Sequence, residues 1–146
     1  MAKKVALSAC LAGKNCRYNG ELKGNPEVME RLEQAGYEIL LFCPEDACFG
    51  TPREAMDLTT TPEGVKALTK FSKEDRTLPI VEYAETFFTQ HPDIDLFVGK
   101  ARSPSCGVCT ALLYDEEGNL LSDKEAGIMA AEAKARGIEA VDDESL

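Results

Sequence analysis

The chain has 146 residues with 44% hydrophobic content, a size that fits one domain (1–146) built round a single core. A formal net charge of −10 disfavours nucleic acid as a partner, because neutralising phosphate needs basic patches, and leaves a small molecule as the expected ligand. No apolar run approaches the ~20 residues that cross a bilayer, and Met1 to Val5 leads straight into a strand-like segment, so a cytoplasmic monomer or homodimer without a membrane partner is expected.

Lys3 to Ala9 is a short apolar run of strand length ending in Cys10, and Gly13, Asn15, Asn19 and Gly20 then mark a loop. Pro26 to Ala35 carries Val28, Met29, Leu32 and Ala35 at helical spacing, with Asn25 as N-cap, Pro26 at the first position and Gly36 past the end. Tyr37 to Phe42 is nearly continuous apolar sequence, the pattern of a buried parallel strand, and it ends at Cys43. Pro44 to Pro62, punctuated by prolines and Gly50, reads mainly as loop, and Glu63 to Phe71 as a short helix. Leu78 to Gln90 aligns Ile80, Val81, Ala84, Phe87 and Phe88 on one helical face, and His91-Pro92-Asp93 stops it.

Ile94 to Gly99 makes a third strand, followed by a loop from Lys100 to Gly107 that contains Cys106. Ala111 to Asp115 and Asn119 to Leu121 form a hairpin around Glu117-Gly118. Lys124 to Arg136 is an alanine-rich helix stopped by Gly137, and Ile138 to Val141 is a last strand. This order predicts an α/β fold with a single-domain, doubly wound (Rossmann-like), mostly parallel sheet flanked by helices.

Six cysteines stand at 10, 16, 43, 48, 106 and 109, and without a secretion signal metal ligation or catalysis outranks a disulfide framework. Any one of them could simply fill a core. Cys10, Cys43 and Cys106, however, all follow the carboxyl ends of the best strands, which share one edge of a parallel sheet where ligands bind. Three convergent thiols with a fourth position open suit either a catalytic zinc or an iron–sulfur cluster. Cys106-Gly-Val-Cys109 also matches the Cys-x-x-Cys spacing of thiol–disulfide sites. Glu45 places a carboxylate beside this site for acid/base work, Ser103-Pro104-Ser105 supplies hydroxyls, and Arg53 can bind an anion or pair with a carboxylate. The only histidine, His91, reads as structural, so a histidine-based triad or zinc site is hard to build.

Ser8-Ala9-Cys10-Leu11-Ala12-Gly13 with Cys16-Arg17-Tyr18-Asn19-Gly20, then Cys43-Pro44-Glu45 with Thr51-Pro52-Arg53-Glu54, then Arg102-Ser103-Pro104-Ser105-Cys106-Gly107 together resemble the thiouracil desulfidase family of small bacterial proteins. The resemblance implies a 4Fe-4S cluster held by Cys10, Cys43 and Cys106, one iron being open to the sulfur of a thiolated pyrimidine. It also implies Glu45 as acid/base, Ser103 as a helper at the substrate or sulfide, and hydrolytic release of sulfur as hydrosulfide. The segment from Cys43 to Arg53 is one residue shorter than the family pattern and contains Cys48, which could replace Cys43 as ligand. The resemblance assigns Cys16, Cys48 and Cys109 no role, which leaves a redox or second-metal function open to them. A non-catalytic iron–sulfur or zinc-binding module that senses metal or redox state is the alternative.

Overall fold

The computed structural model describes residues 3–13 and 24–146, so the motif Cys16 to Gly20 lies outside the described residues. Eight strands are divided between two four-stranded sheets, where a single sheet was expected. The first is all parallel: β1 (Lys4–Ser8), β2 (Glu38–Phe42), β5 (Leu96–Gly99) and β8 (Glu139–Asp142) lie in the order β2-β1-β5-β8. The apolar runs read from the sequence are these strands, and Val5, Ala6, Leu7, Phe97 and Val98 are fully buried because helices cover both faces. β2, expected to be buried, is instead an edge strand with Glu38 and Leu41 exposed and only Phe42 buried.

Alternation assigns the faces. Val5, Leu7, Leu96 and Val98 pack against Val28 and Leu32 of α1 (Pro26–Gln34). Ala6, Phe42 and Phe97 pack against Ala84, Phe87 and Phe88 of α3 (Thr77–Gln90) and Met129, Ala130 and Ala133 of α4 (Ile128–Ala135). Helix α1 has the predicted ends: the Asn25 side chain accepts from the Val28 N–H, Pro26 is at the first position, and Gly36 at φ +82° lets the Tyr37 N–H turn back to the Leu32 carbonyl.

The second sheet corrects the middle of the chain. It contains β3 (Met56–Thr61), β4 (Gly64–Thr69), β6 (Ala111–Tyr114) and β7 (Leu120–Glu125), in the order β4-β3-β6-β7. Pro44 to Pro62 is therefore not mainly loop, because it holds both α2 (Pro44–Phe49) and β3, and Glu63 to Phe71 is not a helix, because it holds β4. The prolines misled because two of them sit where proline is tolerated: Pro44 opens α2, and Pro62 lies in the tight turn that pairs Thr61 with Gly64. Leu58, Ala67 and Ala111 bury the inner face of this sheet against Ile80 and Ile128. The last helix also starts later than Lys124, since β7 runs to Glu125 and Gly127 caps α4.

Two glycines let the chain cross itself closely behind the loop that carries Cys106. A Cβ at Gly99 would lie 1.8 Å from the Cys106 carbonyl oxygen, and one at Gly127 would lie 2.5 Å from the Ser105 carbonyl carbon. That closeness lets the first N–H groups of α4 bond the loop: Ile128 donates to Pro104 (3.1 Å) and Met129 to Ser105 (2.8 Å).

Asp142, at the end of β8 and 1% exposed, ties down the far side of the same loop. It accepts from the backbone N–H groups of Val108 (2.7 Å) and Cys109 (3.1 Å) and from Thr110 Oγ1 (2.9 Å). Burial opposes its charge, but these donors and the Cys109 thiol outweigh burial and hold its carboxyl below the usual carboxylate range. A depressed folded pKa contributes stability that is complete above the unfolded value of about 3.9 and is lost as pH falls through the folded one. Asp142→Asn is therefore expected to lower unfolding free energy at neutral pH by about 1–3 kcal/mol and to flatten its decline below about pH 4, as read by urea unfolding across pH.

Candidate active site

Each proposed ligand sits at the exit of a strand of the parallel sheet. Cys10 lies in the 3-10 turn Ala9–Ala12 directly after β1, and Cys43 directly follows β2 as the residue before α2. Cys106 lies in the loop after β5. Because β1 lies between β2 and β5, and the strand order reverses at β1, these carboxyl ends are neighbours at the crevice where open α/β sheets bind ligands.

A cleft of about 450 Å³ opens there, and Cys10, Cys43, Cys106, Glu45 and Ser103 all line it. Cys48 does not line it: it is exposed at the other end of α2, where its thiol faces the Pro79 carbonyl. Cys109 is exposed beside Asp142, and His91 packs its ring at a tilt against Phe87 at the end of α3.

Glu45 is held in the first turn of α2, and its Oε2 accepts a 2.6 Å hydrogen bond from Ser105 Oγ. Ser103 Oγ stands 3.5 Å from the same oxygen and accepts from the backbone N–H groups of Ser105 (3.3 Å) and Cys106 (3.1 Å). The sequence reading chose Ser103, yet Ser105, fully buried, makes the short contact to Glu45 and stands 3.4 Å from the Cys106 sulfur. Two serines one residue apart look equivalent in sequence, and only the turn of the loop separates them.

Burial pushes the Cys106 thiol up to about 12, with Ser105 bonding to it only partly offsetting this. Such a thiol keeps its proton at neutral pH unless a metal displaces it. Cys109 is also raised, first by its bond to Asp142 and then by burial. A reactive Cys-x-x-Cys pair needs a lowered thiol pKa, so this geometry argues against thiol–disulfide exchange at Cys106 and Cys109.

Other lining residues received no role in the sequence reading: two come from the misread β3–β4 segment, and Lys100 and Arg102 were read only as part of a loop or motif. Asp57 of β3 and Lys70 just after β4 line the cleft, as do Lys100 and Arg102 from the loop after β5. Arg102 is committed to a two-pronged pair with Glu144 at 2.8 and 2.7 Å. Tyr83 on α3 accepts the Cys43 N–H at 3.3 Å, behind the ligand position, and burial raises its own pKa.

The family model described as 2-thiouracil desulfurase matches residues 5–145. The chain belongs to that family. A curated relative, the uncharacterized protein YbbK of Bacillus subtilis (strain 168), is 25% identical over 150 residues, covering 97% of both chains. A solved structure, the [4Fe-4S]-dependent thiouracil desulfidase TudS (DUF523Vcz), is similar with a TM-score of 0.77 and 30% identity, covering 99% of this chain and 93% of the other. As a member of the 2-thiouracil desulfurase family, the chain is a desulfidase, an enzyme acting on carbon–sulfur bonds. Its architecture is mixed α/β with two four-stranded sheets, and among the described residues no helix is long and apolar enough to cross a membrane.

Proposed function

We propose that this protein removes sulfur, as hydrosulfide, from a small thiolated pyrimidine base or nucleoside of the 2-thiouracil or 4-thiouridine type. The cofactor in this reading is a 4Fe-4S cluster held by Cys10, Cys43 and Cys106. The observation that carries it is that three thiols and one shielded carboxylate line a single cleft.

The donor set fits that cofactor. Thiolates are the ligands that iron–sulfur clusters take, and Cys10, Cys43 and Cys106 are the thiols that line this cleft. Among the described residues, no three His, Cys, Asp or Glu side chains close on a point as a single ion requires. Cys10, Cys43 and Cys106, which line the cleft from three separate strand ends, are the residues that would hold a cluster. When bound, the cluster supplies a Lewis-acidic iron to which sulfur can attach.

The chain's own residues supply the proton chemistry. Glu45 accepts a proton from the water that attacks the thiolated carbon, while Ser105 holds its Oε2 and Ser103 stands at the same oxygen toward the cleft. Water adds across the carbon–sulfur bond and hydrosulfide leaves, so no electron is consumed. A module that merely held a cluster would have no use for this arrangement, which favours catalysis over metal sensing. The overall negative charge of −10 suits a small substrate better than a nucleic acid.

Anaerobic reconstitution with iron and sulfide, followed by assay of hydrosulfide release from 2-thiouracil and 4-thiouridine, tests the proposal. The expected result is a brown protein that yields one hydrosulfide per oxo-pyrimidine formed. A brown protein that releases none from either compound would overturn it.

A further inference from the structure

Arg53 lines the cleft, yet its side chain is only 5% exposed. A guanidinium buried this far is costly unless its donors are taken. Nη1 is taken, by the Gly50 carbonyl and by Thr51 Oγ1, both at 3.0 Å. Among the described residues Nε has no acceptor, and Nη2 stands 3.6 Å from Oε1 of Glu45, an ion pair too long for a hydrogen bond.

Nε and Nη2 form one edge of the planar fork, the edge that can grip a carboxylate with two donors. Glu45 is the carboxylate beside it, and its other oxygen is already engaged by Ser105. The anchor is also shared with the ligand side of the site. Thr51 Oγ1 donates to the Asp46 carboxylate, and the Asp46 N–H faces the Cys43 sulfur at 3.5 Å. The guanidinium is thus braced against the same short helix that carries Glu45.

We infer that Arg53 is a positioning residue that fixes the Oε1 side of Glu45 while Ser105 fixes the Oε2 side, so that the carboxylate keeps one orientation toward bound substrate. The inference rests on the acid/base reading of Glu45 given above. Arg53 itself touches no reacting atom and acts only through Glu45.

The test is a double-mutant cycle of Arg53→Met, Glu45→Gln and the two together in reconstituted protein, with Arg53→Lys as a conservative control. Steady-state kinetics, iron and sulfide content, and thermal unfolding are measured on each. Arg53→Met is expected to lower kcat roughly 10²-fold with KM changed by less than about threefold, because it misplaces the carboxylate without removing a substrate contact. Iron and sulfide content stays at the wild-type level, the double variant is no slower than Glu45→Gln alone, and Arg53→Lys recovers part of the rate. A raised KM with kcat retained would show that Arg53 holds substrate, and lost cluster or additive rate effects would show a merely structural brace; either result overturns the inference.

If wild-type protein releases no sulfide, the desulfidase reading has failed, and the unfolding cycle still decides the pairing. Glu45→Gln must then lower Tm more with Arg53 present than in the Arg53→Met background, and equal shifts would overturn the inference. Should Arg53→Met not fold, Arg53→Lys carries the same cycle.

Discussion

Glu45→Gln is expected to slow sulfide release by about 10²–10⁴-fold, the range that removal of a placed acid/base group costs, while iron and sulfide content stays at the wild-type level. The side chains are nearly the same shape, and the glutamine carbonyl can still accept the Ser105 hydroxyl that holds Oε2 at 2.6 Å. What disappears is the ability to take a proton, together with the negative charge opposite Arg53. Substrate binding should change little, so the loss falls on kcat rather than KM. Single-substrate kinetics on reconstituted protein, paired with iron analysis, checks this. A glutamine variant with the wild-type rate would remove Glu45 from the chemistry and return the site to a cluster-holding role.

Much of this site is legible in sequence because the three candidate thiols follow apolar parallel strands, of which β1 and β5 are buried on both faces and β2 is an edge strand. Ala6-Leu7, Leu40 to Phe42 and Phe97-Val98 stand out as apolar runs, although Leu41 at the sheet edge stays exposed, and each ends where a cysteine follows or a cysteine-bearing loop begins. In the second sheet the β6–β7 hairpin is legible round Glu117-Gly118, but β3 and β4 were hidden. β3 ends in three threonines and only Pro62 and Glu63 separate it from β4, so their pattern resembled turn sequence, although in the sheet Leu58 and Ala67 are buried. That misreading also concealed Asp57 and Lys70 as parts of the cleft wall.

Roles that depend on hydrogen-bond direction were less legible still. Ser103 and Ser105 flank Pro104, and no spacing rule tells which hydroxyl reaches Glu45. Arg53 offered two ordinary readings in sequence, an anion site or a surface ion pair. Its near-complete burial against Glu45 is a tertiary fact, set by α2 and the Gly50-Thr51 anchor.

Cysteine substitution carries the second large effect and bears on the central claim, that thiols from the ends of β1 and β2 and from the loop after β5 hold one cluster. A serine hydroxyl does not ionise near neutral pH and is a harder donor than thiolate, so loss of one ligand of three leaves iron poorly held. Cys48 and Cys109 stand outside the cleft, the one against the Pro79 carbonyl and the other against Asp142, so neither is expected to hold the cluster. Iron and acid-labile sulfide per chain, measured after anaerobic reconstitution of the five single cysteine-to-serine variants, is the direct test. Cys10→Ser, Cys43→Ser and Cys106→Ser should each fall to near zero, while Cys48→Ser and Cys109→Ser stay at the wild-type level. Full cluster content in Cys43→Ser together with its loss in Cys48→Ser would contradict the ligand set read from this cleft.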